Sequence, residues 1–139
     1  MNTKVLLAGL AAAAVAFLLG WLIYGILLMD FFEANQTTYE GLIKENMCLL
    51  LIFSSNVVYG VLLAWIYNNF KGKKSIAKAV GICAIIGLAF ALGIDLMFLA
   101  SYNLINVTST IVDVVAAGVM YGAMGLIIGL ILKPKKIVE

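Results

Sequence analysis

The chain has 139 residues, of which 65% are hydrophobic and 12% are charged, and its formal net charge at pH 7 is +2. Soluble domains average about 45–50% apolar and about 25% charged residues, so this composition is typical of an integral membrane protein. The chain has no histidine, which excludes histidine-based hydrolysis, haem ligation and His-type zinc sites. All nine basic residues are lysine, so bidentate arginine recognition of nucleic acid or of an anionic substrate is not expected.

Four apolar stretches are long enough to cross a bilayer as helices, because a hydrocarbon core of about 30 Å needs about 20 helical residues. In chain order they cover residues 5–29, 47–67, 79–100 and 107–132. They predict an all-α membrane protein, a four-transmembrane-helix bundle that occupies residues 1–139 as a single domain. The first stretch is too long for the apolar region of a signal peptide, so we expect it to remain as a span.

The connections between the spans differ sharply in charge. The first, residues 30–46, carries four acids and a single lysine, Lys44, and is long enough for a helical turn or two capped by the polar stretch that begins at Asn35. Because lysine-rich loops stay in the cytoplasm, we expect loop 30–46 outside, loop 68–78 inside and both termini cytoplasmic. The other eight lysines all fall on that inner side: Lys4, Lys71, Lys73, Lys74, Lys78, Lys133, Lys135 and Lys136.

The two cysteines, Cys48 and Cys83, fall near opposite faces of the membrane in this arrangement. A disulfide needs Cα atoms about 4.4–6.8 Å apart, so we expect two free thiols. The chain also lacks the cysteine and histidine spacing of a metal site, and no metal or cofactor is predicted.

A short pattern recurs in the second and fourth spans. Val-x-Tyr-Gly stands at residues 57–60 and again at 119–122, 62 positions later. The pattern indicates a duplicated helical hairpin whose two copies share one orientation in the membrane. Short matches also arise by chance in so apolar a chain, so both explanations stand at this point.

Small residues recur at helical spacing in three spans, which is typical of helices that pack closely in membranes. The glycines expected to serve helix packing are Gly20, Gly81, Gly118, Gly122, Gly125 and Gly129. Each stripe fits either a seam within the chain or a contact face between copies of it.

Asp95 and Asp113 are the two carboxylates that lie inside predicted spans, where a charge is costly and a functional role is the default hypothesis. Both are expected about 8–9 Å below the outer surface, with Asp30 shallower and Asn56 deeper. Together these four residues predict an ion- or ligand-binding site. The alternative is structural: Asp113 caps or tethers the first turn of the fourth span, and Asp95 bonds a tyrosine hydroxyl or Asn103. Asp113 lies about 140° around its helix from Gly118, so we do not expect it on that close-packed face.

Three tyrosines lie deeper in the spans than the aromatic belt of a membrane protein, namely Tyr24, Tyr59 and Tyr121. A buried tyrosine hydroxyl usually has a hydrogen-bond partner, so we expect each to bond across helices.

Several short motifs are shared with one group of membrane proteins. They are Gly-Trp-Leu-Ile-Tyr-Gly at residues 20–25, Met-Asp-Phe-Phe at 29–32, Gly-Ile-Asp-Leu at 93–96 and Val-Asp at 112–113. Through them the chain resembles a family of small, uncharacterised bacterial inner-membrane proteins over nearly its whole length. The resemblance implies a four-helix bundle in the bacterial inner membrane and brings no activity or ligand with it.

Two functions from different classes fit these observations. The first is a non-enzymatic membrane protein of structural or accessory type, oligomeric through its glycine stripes, whose partners are the lipid bilayer and other copies or a larger membrane complex. The alternative is a small proton- or cation-linked transporter or channel with an outward-facing site at Asp95, Asp113 and Asn56. An enzyme is not predicted, because no pairing of a nucleophile with a base can be assembled from these residues.

Overall fold

The computed structural model describes residues 2–44, 46–72 and 74–133. This part of the chain is all-helical, and four of its helices are long and apolar enough to cross a membrane, as the composition predicts. Their bounds are Thr3–Leu22 (α1), Leu49–Asn69 (α3), Ile76–Ser101 (α4) and Val107–Leu132 (α5). The predicted topology also used Glu45, Lys73, Lys135 and Lys136, which lie outside the described residues.

α1 does not end as a regular helix. It passes into a π-helical turn at Ile23–Leu27, and after Leu28 the chain forms the short helix α2, Met29–Asn35. The first connection therefore does hold helical turns, but Asn35 does not cap their start. Asn35 is instead the last residue of α2, and its Nδ2 donates to the Phe31 carbonyl at 2.9 Å.

Polar side chains mark where three of the long helices begin. Asn2 accepts a hydrogen bond from the Lys4 amide at α1, and Ser75 accepts one from the Lys78 amide at α4. These bonds satisfy amides that the first helical turn leaves free. The start of α5 has a full capping box and is described with the site below.

The α4–α5 pair forms the largest interface, and small residues let the two helices approach closely. A Cβ added to Gly125 would lie 2.5 Å from the Ala79 carbonyl oxygen and 2.9 Å from Cys83 Cβ. Gly87 packs against Tyr121 in the same way. We call this stretch, in which Ala79, Cys83 and Gly87 face Tyr121 and Gly125, the glycine seam.

α1 lies between α3 and α5 and contacts both. Against α3, the backbone of Gly9 meets Gly60, and the Phe17 and Phe53 rings make an edge contact at 5.7 Å. Against α5, Gly20 faces the sulfur of Met120 at 3.7 Å from its Cβ position. The helices therefore follow the order α3, α1, α5, α4.

The remaining predicted packing glycines divide into two groups. Three pack against α4: Gly118 on Leu88, Gly122 on Ala84 and Val80, and Gly129 on Ala79 and Ile76. For Gly81, no neighbouring side chain or helix of the described chain lies within 4 Å of its Cβ position. Its helix face is open to the surroundings.

The two ends of the bundle differ in charge. The acidic end holds Asp30, Glu33 and Glu40, and the lysine end holds Lys4, Lys71, Lys74, Lys78 and Lys133. At the acidic end the two connections meet, because the Thr37 amide donates to the Leu104 carbonyl at 2.8 Å beside a bridge between Gln36 and Ile105. α2 lies at this end as well, where it contacts the π-helical turn and α5.

Candidate functional site

Asp95 and Asp113 lie at the same depth on neighbouring helices. Each is six residues from its helix terminus at the acidic end, or about 9 Å along the axis. The glycine seam sets the register between α4 and α5 by placing Gly87 against Tyr121. Eight residues further along each helix, the same register brings Asp95 opposite Asp113.

The two carboxyl groups lie next to each other and interact. Asp113 lies on the side of α5 that faces α1. It is seven residues from Met120, which packs on Gly20 of α1, and so lies within about 20° of Met120 around the helix. It is thus off the face of Gly118, as the helical phase predicts, and still meets Asp95. Different faces of α5 carry the seam and the carboxylate.

Tyr24 brings a third helix to the pair. It lies in the π-helical turn of α1, and its hydroxyl interacts with the Asp113 carboxylate and lies near that of Asp95. Phe32 of α2 stacks on the Tyr24 ring, with centroids 5.7 Å apart and planes inclined by 26°. π-helical turns often occur at functional sites, where they place a side chain that a regular helix would turn elsewhere.

Two buried oxygens at this end have no hydrogen-bond partner among the described residues. They are Oδ2 of Asp95 and Oγ1 of Thr110, and Thr110 is only 6% exposed. Thr110 precedes Asp113 by three residues, so the two side chains are neighbours on the buried face of α5. An unpartnered buried oxygen costs about 1–3 kcal/mol in a protein interior and more inside a membrane.

The structural alternative for Asp113 is wrong in one respect, because other residues cap α5. Asn106 Oδ1 accepts from the Ser109 amide at 2.8 Å, and Ser109 Oγ accepts from the Asn106 amide at 3.0 Å. This reciprocal pair occupies the first turn and leaves Asp113 free for the contact with Asp95 and Tyr24.

The other two predicted site residues lie apart from the pair. Asn56 of α3 donates to the Ile52 carbonyl at 2.9 Å, one turn back on its own helix. Tyr59 faces Tyr121 with ring centroids 6.0 Å apart, which aligns Asn56 with Gly118, about 7–8 Å deeper than Asp113. Asp30 is exposed on α2.

Lysine does not neutralise the pair from the far end of α4. Lys78 lies 17 residues from Asp95, which is about 25 Å along the axis. Lys44, at the acidic end, is exposed on the connection. The site therefore consists of two carboxyls and the hydroxyl of Tyr24, with the buried Thr110 hydroxyl three residues from Asp113 on α5. This is an oxygen-only set suited to a proton or a hard cation.

Comparison with known protein families, curated proteins and solved structures gives no match to this chain. The resemblance to a bacterial inner-membrane family stays a prediction. Function therefore has to be inferred from the chemistry of the Asp95–Asp113 site rather than from a relative.

Proposed function

We propose that this chain is a small multi-pass membrane protein that binds a proton or a small monovalent cation at the Asp95–Asp113 pair and carries or gates that ion across the membrane. One observation carries the proposal. Carboxyl groups from two helices meet about 9 Å inside the spans, and one of their oxygens is buried with no hydrogen-bond partner among the residues that the structure describes. Two carboxylates in such surroundings cannot both stay ionised without a positive charge between them.

The charge distribution supports the orientation of this site. Eight of the nine lysines belong to the termini and the α3–α4 connection, which favours a cytoplasmic position for both termini in a bacterial inner membrane. The Asp95–Asp113 pair then lies in the outer half of the membrane, beneath α2. An ion would reach it from the outside once the contact between Thr37 and Leu104 opened.

Ion flux into liposomes tests the proposal. The purified chain is reconstituted in two series, one with a pH-sensitive dye and one with a sodium-sensitive dye inside, and a proton or sodium gradient is imposed across the membrane. We expect wild-type flux to exceed that of empty liposomes, and we expect Asp95→Asn to abolish the excess by removing one of the paired charges. Glu33→Gln is the matched control, because Glu33 is an exposed carboxylate on α2 outside the pair.

Wild-type flux equal to that of empty liposomes would overturn the transport proposal. So would an Asp95→Asn variant that retains full flux while Glu33→Gln does the same. Equal loss in both variants would point to a change in surface charge rather than to the pair.

A structural or oligomeric role is the second candidate, and the exposed face of α3 favours it. Leu50, Leu51 and Val58 are 72%, 67% and 66% exposed, and Gly81 of α4 is open. Lipid covers such faces by default, so the role requires a second copy or another membrane protein there. Measuring the molar mass of the detergent-solubilised chain tests it, and a strictly monomeric chain would remove the oligomeric form.

We also propose that the two helical hairpins arose by duplication. Gly60 packs on α1 and Gly122 packs on α4, so each repeated glycine contacts the first helix of its own hairpin. The repeated tyrosines, Tyr59 and Tyr121, face each other between the hairpins. The equivalent placement of these residues supports a common origin, although Gly60 packs on backbone and Gly122 makes ordinary contact with side chains.

A further inference from the structure

The unpartnered oxygens at the acidic end distinguish between the ions that this site could hold. A proton shared by Asp95 and Asp113 satisfies the carboxyl pair, because each group then has a hydrogen-bond partner. The shared proton gives no hydrogen-bond partner to the Thr110 hydroxyl, although that oxygen is buried on the same face of α5 one turn from Asp113. An ion that several oxygens coordinate at once would use Oδ2 of Asp95 and Oγ1 of Thr110 together.

We propose that the site binds a dehydrated sodium ion, with Thr110 as a neutral oxygen ligand beside the carboxylates of Asp95 and Asp113. The inference rests on the proposed function and narrows its substrate. Protein oxygens replace the hydration shell of an ion that is taken into a membrane interior, and hydroxyl and carboxylate oxygens suit hard cations. The Tyr24 hydroxyl, which interacts with Asp113, holds that carboxylate in place from α1.

The number and charge of the available oxygens favour a small monovalent ion. Calcium takes six to eight oxygens and magnesium keeps several waters, whereas this site offers two carboxylates and one buried hydroxyl with no partner. One sodium ion and one proton together neutralise the two carboxylates, as two protons do. Exchange between these states is balanced in charge, since one sodium ion enters as one proton leaves.

Sodium and protons should therefore compete. Tyr24 from α1 is a titratable group that faces the pair. Tyr121 of α5 lies eight residues deeper than Asp113, where it interacts with Tyr24 and contacts Tyr59 of α3. The α2 acids Asp30 and Glu33 are exposed at the same end. Raising the pH removes protons that occupy the carboxyl pair, so the apparent sodium Kd should fall as the pH rises.

Thermal unfolding of the purified full-length chain measures this binding without relying on transport. Sodium chloride is titrated at pH 6 and pH 8, with choline chloride keeping the ionic strength constant and potassium chloride as a second series. A ligand that binds only the folded state raises the unfolding midpoint in a saturable manner. We expect a sodium-specific rise that is larger at pH 8.

Three threonine variants locate the ligand. We expect Thr110→Val to raise the sodium Kd about tenfold, as the loss of one contact to a charged ligand implies. Thr110→Ser keeps the hydroxyl and should stay within about twofold of wild type, a difference well below that of a lost contact. Thr108→Val is the matched control, because Thr108 is exposed in the same turn of α5. The sodium and choline series on the wild type need no variant, so the test survives if Thr110→Val fails to fold.

The outcomes separate this inference from the proposed function. Equal midpoints in sodium, potassium and choline overturn the sodium site, and so does a Thr110→Val variant with wild-type sodium affinity. If proton flux nevertheless depends on Asp95, the proposed function stands with the proton as its ion. If neither ion moves and neither binds, both fall together.

Discussion

The α4–α5 interface is built differently at its two ends. In the glycine seam, Gly125 and Gly87 let the backbones approach so closely that a single added carbon would collide with the facing helix. Beyond the seam, the same two helices carry Asp95, Asp113 and Thr110, and buried oxygens of Asp95 and Thr110 lack a partner within the described part of the chain. The close apolar packing of the glycine seam thus fixes the register of α4 against α5, and that register positions the polar residues beyond it. Proteins often combine a rigid scaffold with local instability where they bind ligands.

The largest expected difference between the two ends is in thiol reactivity. Cys83 is fully buried in the seam, whereas Cys48 is exposed at the acidic end. We expect a maleimide to modify Cys48 faster by orders of magnitude, because Cys83 reacts only when the seam opens. Mass spectrometry over time on the folded chain gives both rates, with the unfolded chain as the reference for intrinsic reactivity. Similar rates in the folded chain would mean that the seam is not tightly closed.

The second prediction compares two glycines on the paired helices. Gly125→Ala places a carbon 2.5 Å from the Ala79 carbonyl oxygen, while Gly81→Ala meets no neighbouring helix. Overpacking of a close interface costs about 1–3 kcal/mol, so Gly125→Ala should lower the free energy of unfolding by that amount. Gly81→Ala should be neutral or slightly stabilising, because alanine is the better helix former. Reversible unfolding in detergent measures both, and equal effects would contradict the assignment of the seam.

The third and smallest effect concerns the cover of the acidic end. Phe32→Ala removes the stack on Tyr24, a contact worth about 0.5–1.5 kcal/mol, and should loosen α2. Hydrogen exchange at the Thr37 amide, which donates to Leu104, should then speed up by about tenfold or less. Amides of the glycine seam should exchange as before. Tyr39→Ala is the control, as an exposed aromatic residue on the same connection. Unchanged exchange at Thr37 would show that α2 is held by other contacts.

Composition and helix length are sufficient to predict the four helices, because an apolar run of 20 residues or more in so uncharged a chain has one common structural solution. Counting residues from the helix ends also places Asp95 and Asp113 at one depth. These are properties of a single helix and can be read along the chain.

Which residues face one another depends on how two helices pack together, and the sequence of either helix alone does not determine it. Thr108 and Thr110 are the same residue type two positions apart, and the sequence alone does not show that Thr108 is exposed while Thr110 is buried. Gly81 and Gly125 both occur at helical spacing from other small residues, and only Gly125 has a neighbour. The depth of Tyr24 indicated that its hydroxyl would need a partner, but its contact with Asp113 depends on the register of α1 against α5.

The π-helical turn that follows α1 determines how this protein would respond to the deletion of a single residue. Such a turn holds one residue more than a regular helix of equal height, so it behaves as a single-residue insertion. Deleting Gly25 would therefore restore regular winding within the same height, so that α2 would keep its place while Tyr24 would leave the widened turn from which its hydroxyl reaches Asp113. The contacts of Thr3–Leu22 would stay as they are. A change in chain length by one residue would thus remove the contact between Tyr24 and Asp113 and leave the four long helices in place.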